Sequence, residues 1–298
     1  MRILVTGATG FIGSALVERL VAEGQAVVMA LVRPDYREEV FSSRLQNILE
    51  QIALVIADVR DLETVVVALE KARPDLIFHL AAAGVRNPFL PIEEALAHNL
   101  HGTLNVLRAA FELRSAGGEP LGFITGRTPG EDAAMNHYAA SKAAAWQICR
   151  MYARTQGWPI SGATIFQAYG PGQRGQNLIP AAVKAAREGR DFPMTAGDQQ
   201  RDWIYVDDVV EGLLAVARSG QAPGSQVDLG TGRLVSVADM VRRIYAAVGG
   251  KGQPLPGALP ARPGEQQIQV ADARRTKRLT GWEASVDLET GLRRLLES

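Results

Sequence analysis

Three glycines, spaced three residues apart, follow the first apolar run of this chain. Residues 3–5 are apolar and mostly β-branched, which predicts a buried strand. The glycines come next, and an amphipathic stretch opens at Ser14. Glycine accepts backbone angles closed to other residues, and its missing side chain lets a phosphate approach the main chain. The N–H groups of a helix N-terminus attract the same anion. The pattern predicts a strand–turn–helix unit that holds the pyrophosphate of a dinucleotide, through Gly7, Thr9, Gly10, Phe11, Ile12 and Gly13.

The composition argues against several other classes of protein. The 298 residues carry 32 acidic and 32 basic side chains, so no net charge favours nucleic acid or a membrane surface as a partner. The one cysteine, Cys149, excludes an internal disulfide, and its helical, apolar surroundings predict a buried side chain. His79 has no second histidine or cysteine at ligand spacing, so we expect no metal site. No apolar run approaches the ~20 residues that span a bilayer. The N-terminus reads as a strand instead of a secretory leader, so we expect a soluble, cytoplasmic protein.

Strand-like and helix-like segments alternate over the first half of the chain. This alternation predicts βαβ units and a doubly wound parallel sheet of the Rossmann type, an α/β fold. Ligands of such a sheet bind at the carboxyl ends of its strands. The predicted strands are residues 2–6, 26–32, 53–57, 75–80, 121–125 and 160–166, and the predicted helices are 13–23, 61–72, 92–115 and 137–156.

The pattern changes after residue 168, where a turn cluster rich in glycine and proline begins. We therefore expect a dinucleotide-binding domain over residues 1–168 and a smaller α/β substrate-binding lobe over 169–298. Residues 226–230 are expected to return to the main sheet. Within the lobe we expect a helix over 177–189, a strand over 192–195, a helix capped by Asp207 or Asp208, and a loop over 249–263.

A tyrosine and a lysine lie four residues apart in the predicted helix 137–156. Tyr138 and Lys142 share one helix face, so the ammonium group can lie near the phenol. A cation favours the phenolate and lowers the pKa of a tyrosine, which would let Tyr138 act as an acid–base catalyst. Thr125 ends the preceding strand, and its hydroxyl can bind the same substrate oxygen. Thr128 is an alternative for that role.

Three further polar residues end or follow predicted strands. Asp58 can accept from an adenine amino group, although it can equally cap the next helix. Arg33 follows the second strand, where an acidic residue would bind a ribose 2′-hydroxyl and an arginine suits a 2′-phosphate. NADP(H) is therefore favoured, with NAD(H) as the alternative. Arg201 suits a diphosphate, and an exposed surface charge is the other interpretation.

With these residues in place, the chain resembles the extended short-chain dehydrogenase/reductase family, in particular its nucleotide-sugar epimerase/dehydratase/reductase branch. The resemblance covers nearly the whole chain. It is carried by Thr6-Gly7-x-x-Gly10-x-x-Gly13, Asp58-Val59-x-Asp61, His79-Leu80-Ala81-Ala82, Asn99-x-x-Gly102-Thr103, Tyr138-x-x-x-Lys142, Tyr169-Gly170-Pro171-Gly172 and Arg201-Asp202-Trp203-Ile204-x-Val206-x-Asp208.

The resemblance implies a role for each of these positions. Tyr138 would be the acid–base, Lys142 would bind the nicotinamide ribose, and Thr125 would orient the substrate oxygen. The cofactor would also contact Asp58, Val59, Leu80, Ala81, Ala82 and Asn99, while the nucleotide sugar would contact Thr125, Gln167, Asn177 and Arg201. The resemblance also implies a homodimer formed through the helices near 92–115 and 137–156.

The chain departs from the family pattern around the substrate. The family's dehydratases carry an Asp-Glu pair directly after the threonine that ends strand five, whereas Gly126 and Arg127 follow Thr125 here. This difference disfavours a 4,6-dehydratase. The segment from Thr125 to Tyr138 is also shorter than in typical epimerases.

Two classes of function remain. One is an NAD(P)-dependent oxidoreductase acting at C4 of a nucleotide-diphosphate sugar, either a 4-ketoreductase or a 4-epimerase. The alternative is a dinucleotide-binding sensor or scaffold of the same fold that catalyses no reaction. The intact pair of Tyr138 and Lys142 favours the enzyme.

Overall fold

The computed structural model describes residues 1–36, 42–85, 87–113, 120–173, 177–249, 251–262 and 264–298. Its strands are β1 (Arg2–Thr6), β2 (Val27–Val32), β3 (Ala53–Ile56), β4 (Leu76–His79), β5 (Gly122–Arg127), β6 (Ile160–Ile165), β7 (Gln167–Tyr169), β8 (Phe192–Pro193), β9 (Gln200–Arg201), β10 (Trp203–Tyr205), β11 (Gln226–Leu229), β12 (Val235–Ser236), β13 (Pro254–Leu255) and β14 (Ile268–Gln269). Its α-helices are α1 (Phe11–Glu23), α2 (Ser43–Asn47), α3 (Leu62–Ala72), α4 (Ile92–Ala95), α5 (Gly102–Leu107), α6 (His137–Gln156), α7 (Leu178–Arg187), α8 (Val206–Arg218), α9 (Val237–Val248), α10 (Ala273–Thr280) and α11 (Leu288–Glu297).

The chain divides into two compact units. The first comprises Met1–Thr164 and Leu213–Val227, and the second comprises Ile165–Gly212 and Asp228–Ser298. The sequence placed one boundary after residue 168. The division differs because the segment before β11 is hydrogen-bonded to β6, with Gly224 N–H donating to Ile160 O at 2.8 Å.

The main sheet has the predicted α/β architecture. In the described chain, seven strands follow the order β11-β6-β5-β4-β1-β2-β3, and the pairs from β1 to β6 are parallel. The strands are apolar because the sheet is covered on its faces. Leu4, Ile77 and Phe123 of three strands belong to one buried cluster with Leu69 of α3 and Trp146 of α6. Each such apolar side chain stabilises the fold by roughly 1.5–3 kcal/mol. The predicted fold class is confirmed.

The register aligns the carboxyl ends of neighbouring strands. Thr6 of β1 pairs with Leu31 of β2 and with His79 of β4, and His79 pairs with Thr125 of β5. Four candidate residues therefore follow strands at one edge of the sheet: Gly7, Arg33, Asp58 and Ala81. Thr125 was predicted to end its strand, but it lies two residues before the end of β5, because β5 pairs with β6 as far as Arg127.

The predicted helix over 92–115 is not a regular α-helix. It consists of α4, a π-helical segment Leu96–His101, α5 and a second π-helical segment Arg108–Glu112. Residues 114 and 115 of the predicted range lie outside the described residues. Wider π-helical turns are frequent at functional sites, and the first of them contains Asn99.

The second unit contains short strands and longer helices. Strands β12, β9 and β14 form one small sheet, β10 pairs with β7, and β13 pairs with β8. Helix α7 covers most of the predicted range 177–189, and β13 lies within the predicted loop 249–263, of which residues 250 and 263 lie outside the described residues. None of the helices in the described ranges is both long and apolar enough to cross a bilayer.

One capping prediction for the second unit is wrong. Asp207 or Asp208 was expected to cap a helix, but α8 begins at Val206, so both residues lie inside its first turn. Asp208 is buried. Its carboxylate instead accepts hydrogen bonds from the backbone and hydroxyl of Ser285 and from Val286 N–H, at 2.9–3.0 Å. A buried carboxylate needs such partners, and here they fix the segment that precedes α11.

Candidate active site

The turn between β1 and α1 needs glycine at specific positions. Gly7 has a φ of +70°, and a Cβ there would lie 2.6 Å from backbone atoms of Leu80 and Ala81. A Cβ on Gly13 would collide with the carbonyl oxygen of Gly7. The N–H of Gly10 donates to the same oxygen at 2.9 Å and closes the turn. Strand, turn and helix can therefore approach this closely only without side chains.

The N-terminus of α1 fits an anion. Gly10 is the N-cap, and within the described chain no side chain caps the first N–H groups and no acidic residue lies in the first turn. These N–H groups carry a partial positive charge. Thr9 and Gly10 are exposed, while Phe11 and Ile12 are half-buried. The turn thus fits the pyrophosphate of a dinucleotide, and its individual contacts stay predictions.

His79 connects β4 to β1 and α5. The hydroxyl of Thr103 donates to Asn99 O at 2.6 Å, so it accepts from His79 Nε2 at 2.9 Å. The other ring nitrogen, Nδ1, then accepts from the Thr6 hydroxyl at 2.9 Å. Burial, with a smaller effect of the Lys142 charge, lowers the pKa of His79 to about 3, so the ring stays neutral. The described chain brings together no group of three side chains that could hold a metal ion.

Asn99 supports the loop that follows β4. The residue is fully buried, and its amide accepts from Ala83 N–H at 2.8 Å and donates to Ala83 O and Ser141 Oγ at 2.9 Å. Ala81 N–H donates to the Thr6 hydroxyl at 3.2 Å. The Asn99 amide is thus hydrogen-bonded to other residues of the chain. A direct contact of Asn99 with the cofactor stays a prediction. In the same loop, Leu80 and Ala81 are half-buried and Ala82 is exposed.

The candidate catalytic residues lie on α6 and on β5, which pack against each other. Asn136 caps α6 by accepting from Ala139 N–H at 2.9 Å, which starts the helix directly before Tyr138. Tyr138 is half-buried, whereas Lys142 and Thr125 are 4% and 3% exposed. Tyr138 and Lys142 are one helical turn apart, as predicted.

Burial dominates the acid–base properties of this pair. It raises the pKa of Tyr138 well above its ordinary value, and the charge of Glu131 adds to that rise. It lowers the pKa of Lys142, with Glu131 opposing the shift. In the chain alone the pKa of Tyr138 is raised, because burial disfavours the charged phenolate. The lowering of that pKa by Lys142 stays a prediction.

An ion pair at the end of β5 was missed by the sequence analysis. Arg127 Nη2 and Glu131 Oε2 are 2.7 Å apart, and these side chains are 8% and 2% exposed. Glu131 Oε1 accepts from Thr128 N–H at 2.9 Å. Their spacing of four residues was visible, but it indicates a contact only in a helix, and these residues lie in a strand end and a turn.

The predicted adenosine-binding residues already have partners in the chain. Arg60 binds the Asp58 carboxylate through its backbone N–H and its guanidinium, at 2.6–3.1 Å. These bonds hold the pKa of Asp58 below its ordinary value. Val59 O accepts from an asparagine amide on α5 at 2.9 Å. Arg33 is largely exposed and lies 3.2 Å from Asp35.

Of the four predicted substrate-binding residues, Thr125 belongs to the first unit and the other three belong to the second. Arg201 is buried, forms an ion pair with Glu265 at 3.2 Å, and has a pKa lowered by that burial. Gln199 Nε2 donates to the other oxygen of Glu265 at 2.9 Å. Gln167 donates to a glutamine of β14 at 3.3 Å, and Asn177 precedes α7 without a side-chain capping bond among the described residues. Glu265 was not predicted as the partner of Arg201, because the two residues are 64 positions apart in the sequence.

Comparisons with known proteins show the family to which the chain belongs. A family model described as "NAD dependent epimerase/dehydratase family" matches residues 3–230. UDP-glucose 4-epimerase from Mycolicibacterium smegmatis is 31% identical, with 100% of this chain and 98% of that protein covered. A probable dTDP-glucose 4,6-dehydratase from Sinorhizobium fredii is 29% identical, with 100% and 92% covered.

A solved structure shows the same fold. UDP-glucuronic acid 4-epimerase from Bacillus cereus, in complex with UDP-glucuronic acid and NAD, aligns with a TM-score of 0.85 at 23% identity, covering 100% of this chain and 98% of that one. Epimerases and dehydratases both occur among the relatives, so similarity does not separate the two activities. The chain belongs to the NAD dependent epimerase/dehydratase family, whose members are nucleotide-sugar enzymes.

Proposed function

We propose that this protein is an NAD(P)-dependent oxidoreductase that acts at C4 of a nucleotide-diphosphate sugar. The observation that carries the proposal is the position of Tyr138, Lys142 and Thr125 in the unit that contains the glycine turn. That unit offers both an anion cradle for a dinucleotide and a proton-transferring group.

Residues of this chain would transfer the proton. A bound nicotinamide supplies or accepts the hydride at C4. Tyr138 takes the proton of the C4 hydroxyl when the sugar is oxidised and returns it to the C4 oxygen when the keto sugar is reduced. Lys142, one turn away, stabilises the phenolate form, and the Thr125 hydroxyl donates a hydrogen bond to the same sugar oxygen.

Two outcomes of this chemistry are compatible with the site. A 4-ketoreductase reduces a 4-keto sugar once and consumes a reduced cofactor. A 4-epimerase oxidises C4 and reduces its other face, with no net use of cofactor. We propose NADP(H) as the favoured cofactor because Arg33 follows β2 and its side chain is 59% exposed, where a 2′-phosphate can reach it. That preference suits net reduction.

We propose that 4,6-dehydratase activity is disfavoured, although dehydratases occur among the relatives of this chain. Elimination needs a carboxylic acid and a carboxylate beside the sugar, and Gly126 and Arg127 follow Thr125 where dehydratases carry them. Glu131 is the buried carboxylate of the segment between Thr125 and Tyr138, and both of its oxygens are bound by protein groups.

For the sugar nucleotide, we propose contacts in the second unit from Gln167, Asn177 and Arg201. Arg201 suits a diphosphate. Its present partner is Glu265, so we expect that ion pair to rearrange when a diphosphate binds. We also propose a homodimer formed through α6 and the helical run from α4 to residue 112. The expected cytoplasmic location stays a prediction.

Three assays on the purified protein test the activity. NADPH absorbance should fall when a 4-keto-6-deoxy nucleotide sugar is added to a reductase. UDP-glucose should be converted to its C4 epimer by an epimerase, and dTDP-glucose should give a 4-keto-6-deoxy product only with a dehydratase. Formation of that last product would contradict the proposal that dehydratase activity is disfavoured.

Replacing the proposed acid–base catalyst, Tyr138, distinguishes an enzyme from a sensor or scaffold that catalyses no reaction. Tyr138→Phe should reduce the observed activity by about 10²–10⁴-fold while dinucleotide binding persists, because only the proton-transferring hydroxyl is lost. Dinucleotide affinity, measured by fluorescence titration, serves as the control. A Tyr138→Phe variant that keeps full activity would favour the sensor or scaffold and refute the catalytic role.

A further inference from the structure

Two large apolar side chains are exposed in the segment that follows β4. Val85 is 58% exposed and Phe89 is 54% exposed, although they lie within five residues of each other in the sequence. Residue 86, between them, lies outside the described residues. A single exposed apolar residue is ordinary, whereas apolar residues grouped beside a proposed catalytic group point to a ligand.

Hydrogen bonds join this segment to the first turn of α6. Tyr138 N–H donates to Pro88 O at 3.1 Å. His137 Nδ1–H donates to Leu90 O at 2.7 Å. Phe89 lies between the two accepting residues, so its backbone is held against the start of α6. The position of Phe89 relative to the proposed acid–base catalyst is therefore fixed.

The same segment packs directly on the side chain of Tyr138. Gly84 has a φ of +100°, and a Cβ there would lie 2.8 Å from Leu90 and 3.0–3.1 Å from the Cβ and Cδ2 atoms of Tyr138. Only glycine lets the backbone approach the tyrosine this closely. Val85 is the next residue, and Phe89 follows the proline that binds the tyrosine backbone. Each apolar residue is thus the immediate neighbour of a residue in contact with Tyr138.

The Phe89 ring is held without being covered. Its centroid lies 6.4 Å from that of the His137 ring, with the planes at 68°, which is an edge-to-face contact. At the other end of the segment, Ala83 N–H donates to the Asn99 amide at 2.8 Å. A rigid apolar surface loses little conformational freedom when a ligand covers it. The surface formed by Val85 and Phe89 is therefore suited to binding.

This apolar surface lies at the edge of the sheet where ligands bind. The segment leaves the carboxyl end of β4, and the connection to α6 leaves the carboxyl end of β5, which is parallel to β4. In the proposed function Tyr138 exchanges a proton with the oxygen at C4. The sugar carbons that flank C4 are therefore the ligand atoms within reach of residues beside Tyr138.

Given the proposed function, on which this step rests, we propose that Val85 and Phe89 contact C5 and C6 of the hexose and select a 6-deoxy sugar. Of the carbons that flank C4, C3 carries an oxygen, whereas C5 carries C6, which is a methyl group in a 6-deoxy sugar. A methyl group buries apolar surface against the two side chains. A hydroxyl or carboxylate at C6 would lose water there and find no hydrogen-bonding partner on either of them.

Nucleotide sugars that differ only in the C6 oxygen test this selection. Isothermal titration calorimetry compares dTDP-glucose with dTDP-6-deoxyglucose, and UDP-glucose with UDP-6-deoxyglucose. The NAD⁺-loaded Tyr138→Phe protein is used, because turnover is blocked in it. The ratio of affinities within each pair cancels the contribution of the nucleotide. We expect the 6-deoxy sugar to bind about tenfold more tightly, because the other sugar buries an unpaired hydroxyl.

Variants of the two residues, made in the same protein, separate apolar contact from a structural role. Phe89→Gln offers hydrogen-bonding groups and should reduce the preference to about twofold or less, whereas Phe89→Leu stays apolar and should keep most of it. Val85→Asn should reduce the preference as well, and it decides the matter if Phe89→Gln does not fold. The matched control is Val67→Asn, since Val67 is 50% exposed on α3, and it should keep the full preference.

Three results overturn the proposal. The first is equal affinity within each pair, or tighter binding of the sugar that carries the C6 hydroxyl. The second is a preference that both Phe89→Gln and Val85→Asn leave unchanged. The third is an unchanged preference with loss of self-association in sedimentation velocity, which would show that a second copy of the chain covers the surface. A protein that binds none of the four nucleotide sugars contradicts the proposed function itself, so the two failures are distinct.

Discussion

Arg33 is the residue on which the choice of cofactor depends. Its guanidinium is exposed and lies 3.2 Å from Asp35, so a 2′-phosphate would compete with that carboxylate. We predict that Arg33→Ser weakens NADPH binding about tenfold and changes NADH binding little, because one charge-assisted contact is lost. Fluorescence titration with both cofactors measures this.

The neighbouring carboxylate provides the opposite test. Asp35→Asn frees Arg33 from its partner, so the preference for NADPH over NADH should increase. Equal effects of Arg33→Ser on the two cofactors would show that Arg33 does not bind the 2′-phosphate and that NAD(H) is the cofactor to consider.

The relative positions of residues that follow from local spacing could be predicted from the sequence. Tyr138 and Lys142 lie one turn apart on α6 because four residues make about one turn. The electrostatics could not be predicted in the same way. The depth of burial that raises the Tyr138 pKa, and the pairing of Arg201 with Glu265, both depend on parts of the chain that are distant in sequence.

At the scale of elements, His79 couples β4 to β1 and α5 as a neutral group. Its pKa of about 3 lies below the ordinary value of a histidine, so the unfolded chain binds a proton that the folded chain does not. Stability is therefore lost as the pH falls from about 6.5 toward about 3, by up to about 1.4 kcal/mol per pH unit. We predict that the unfolding free energy of His79→Gln falls less steeply over this window than that of the parent protein.

Urea unfolding at several pH values between about 7 and about 4 measures how steeply the unfolding free energy of the parent and of His79→Gln depends on pH. His101→Gln is the matched control, because His101 lies in the helical run that follows β4 and its side chain is exposed. That variant should keep the parent slope. If His79→Gln keeps it as well, the buried ring is not the group that titrates.

Elements fixed by local backbone constraints could be predicted closely, and others could not. The turn after β1 follows from Gly7 and Gly13, which no other residue can replace without a clash. The π-helical segment that contains Asn99 was not predicted, and the hydrogen bonds of Asn99 to Ala83 and Ser141 join it to residues distant in the sequence. The start of α8 was misplaced because Asp208 binds a segment 77 residues later instead of its own helix.

At the scale of the whole molecule, the sequence predicted two units and the return of residues 226–230 to the main sheet, where β11 lies. Residues 213–227 belong to the first unit because they lead into β11 beside β6. The positions of the divisions between the units, after Thr164 and at either end of residues 213–227, depend on contacts between distant segments. A local change of composition, such as that at residue 168, does not show them.

The first unit leaves apolar side chains partly uncovered on two helices that pack together. Ala144 and Ile148 of α6 and Leu96, Leu100 and Leu104 of the adjoining helical run are half-buried. Apolar residues on neighbouring helices fit an interface with a second copy of the chain. We predict a homodimer that Ile148→Arg converts to a monomer, because an arginine facing its symmetry mate would bury an unpaired charge.

Sedimentation velocity at several protein concentrations distinguishes the two states. The control is Val67→Arg, since Val67 is a comparable β-branched residue, 50% exposed on α3. It should leave the dimer intact, because α3 lies outside the proposed interface. A parent protein that sediments as a monomer would refute the dimer outright. A dimer unaffected by Ile148→Arg would place the interface away from α6, and the partly uncovered residues of the two helices would then need another partner.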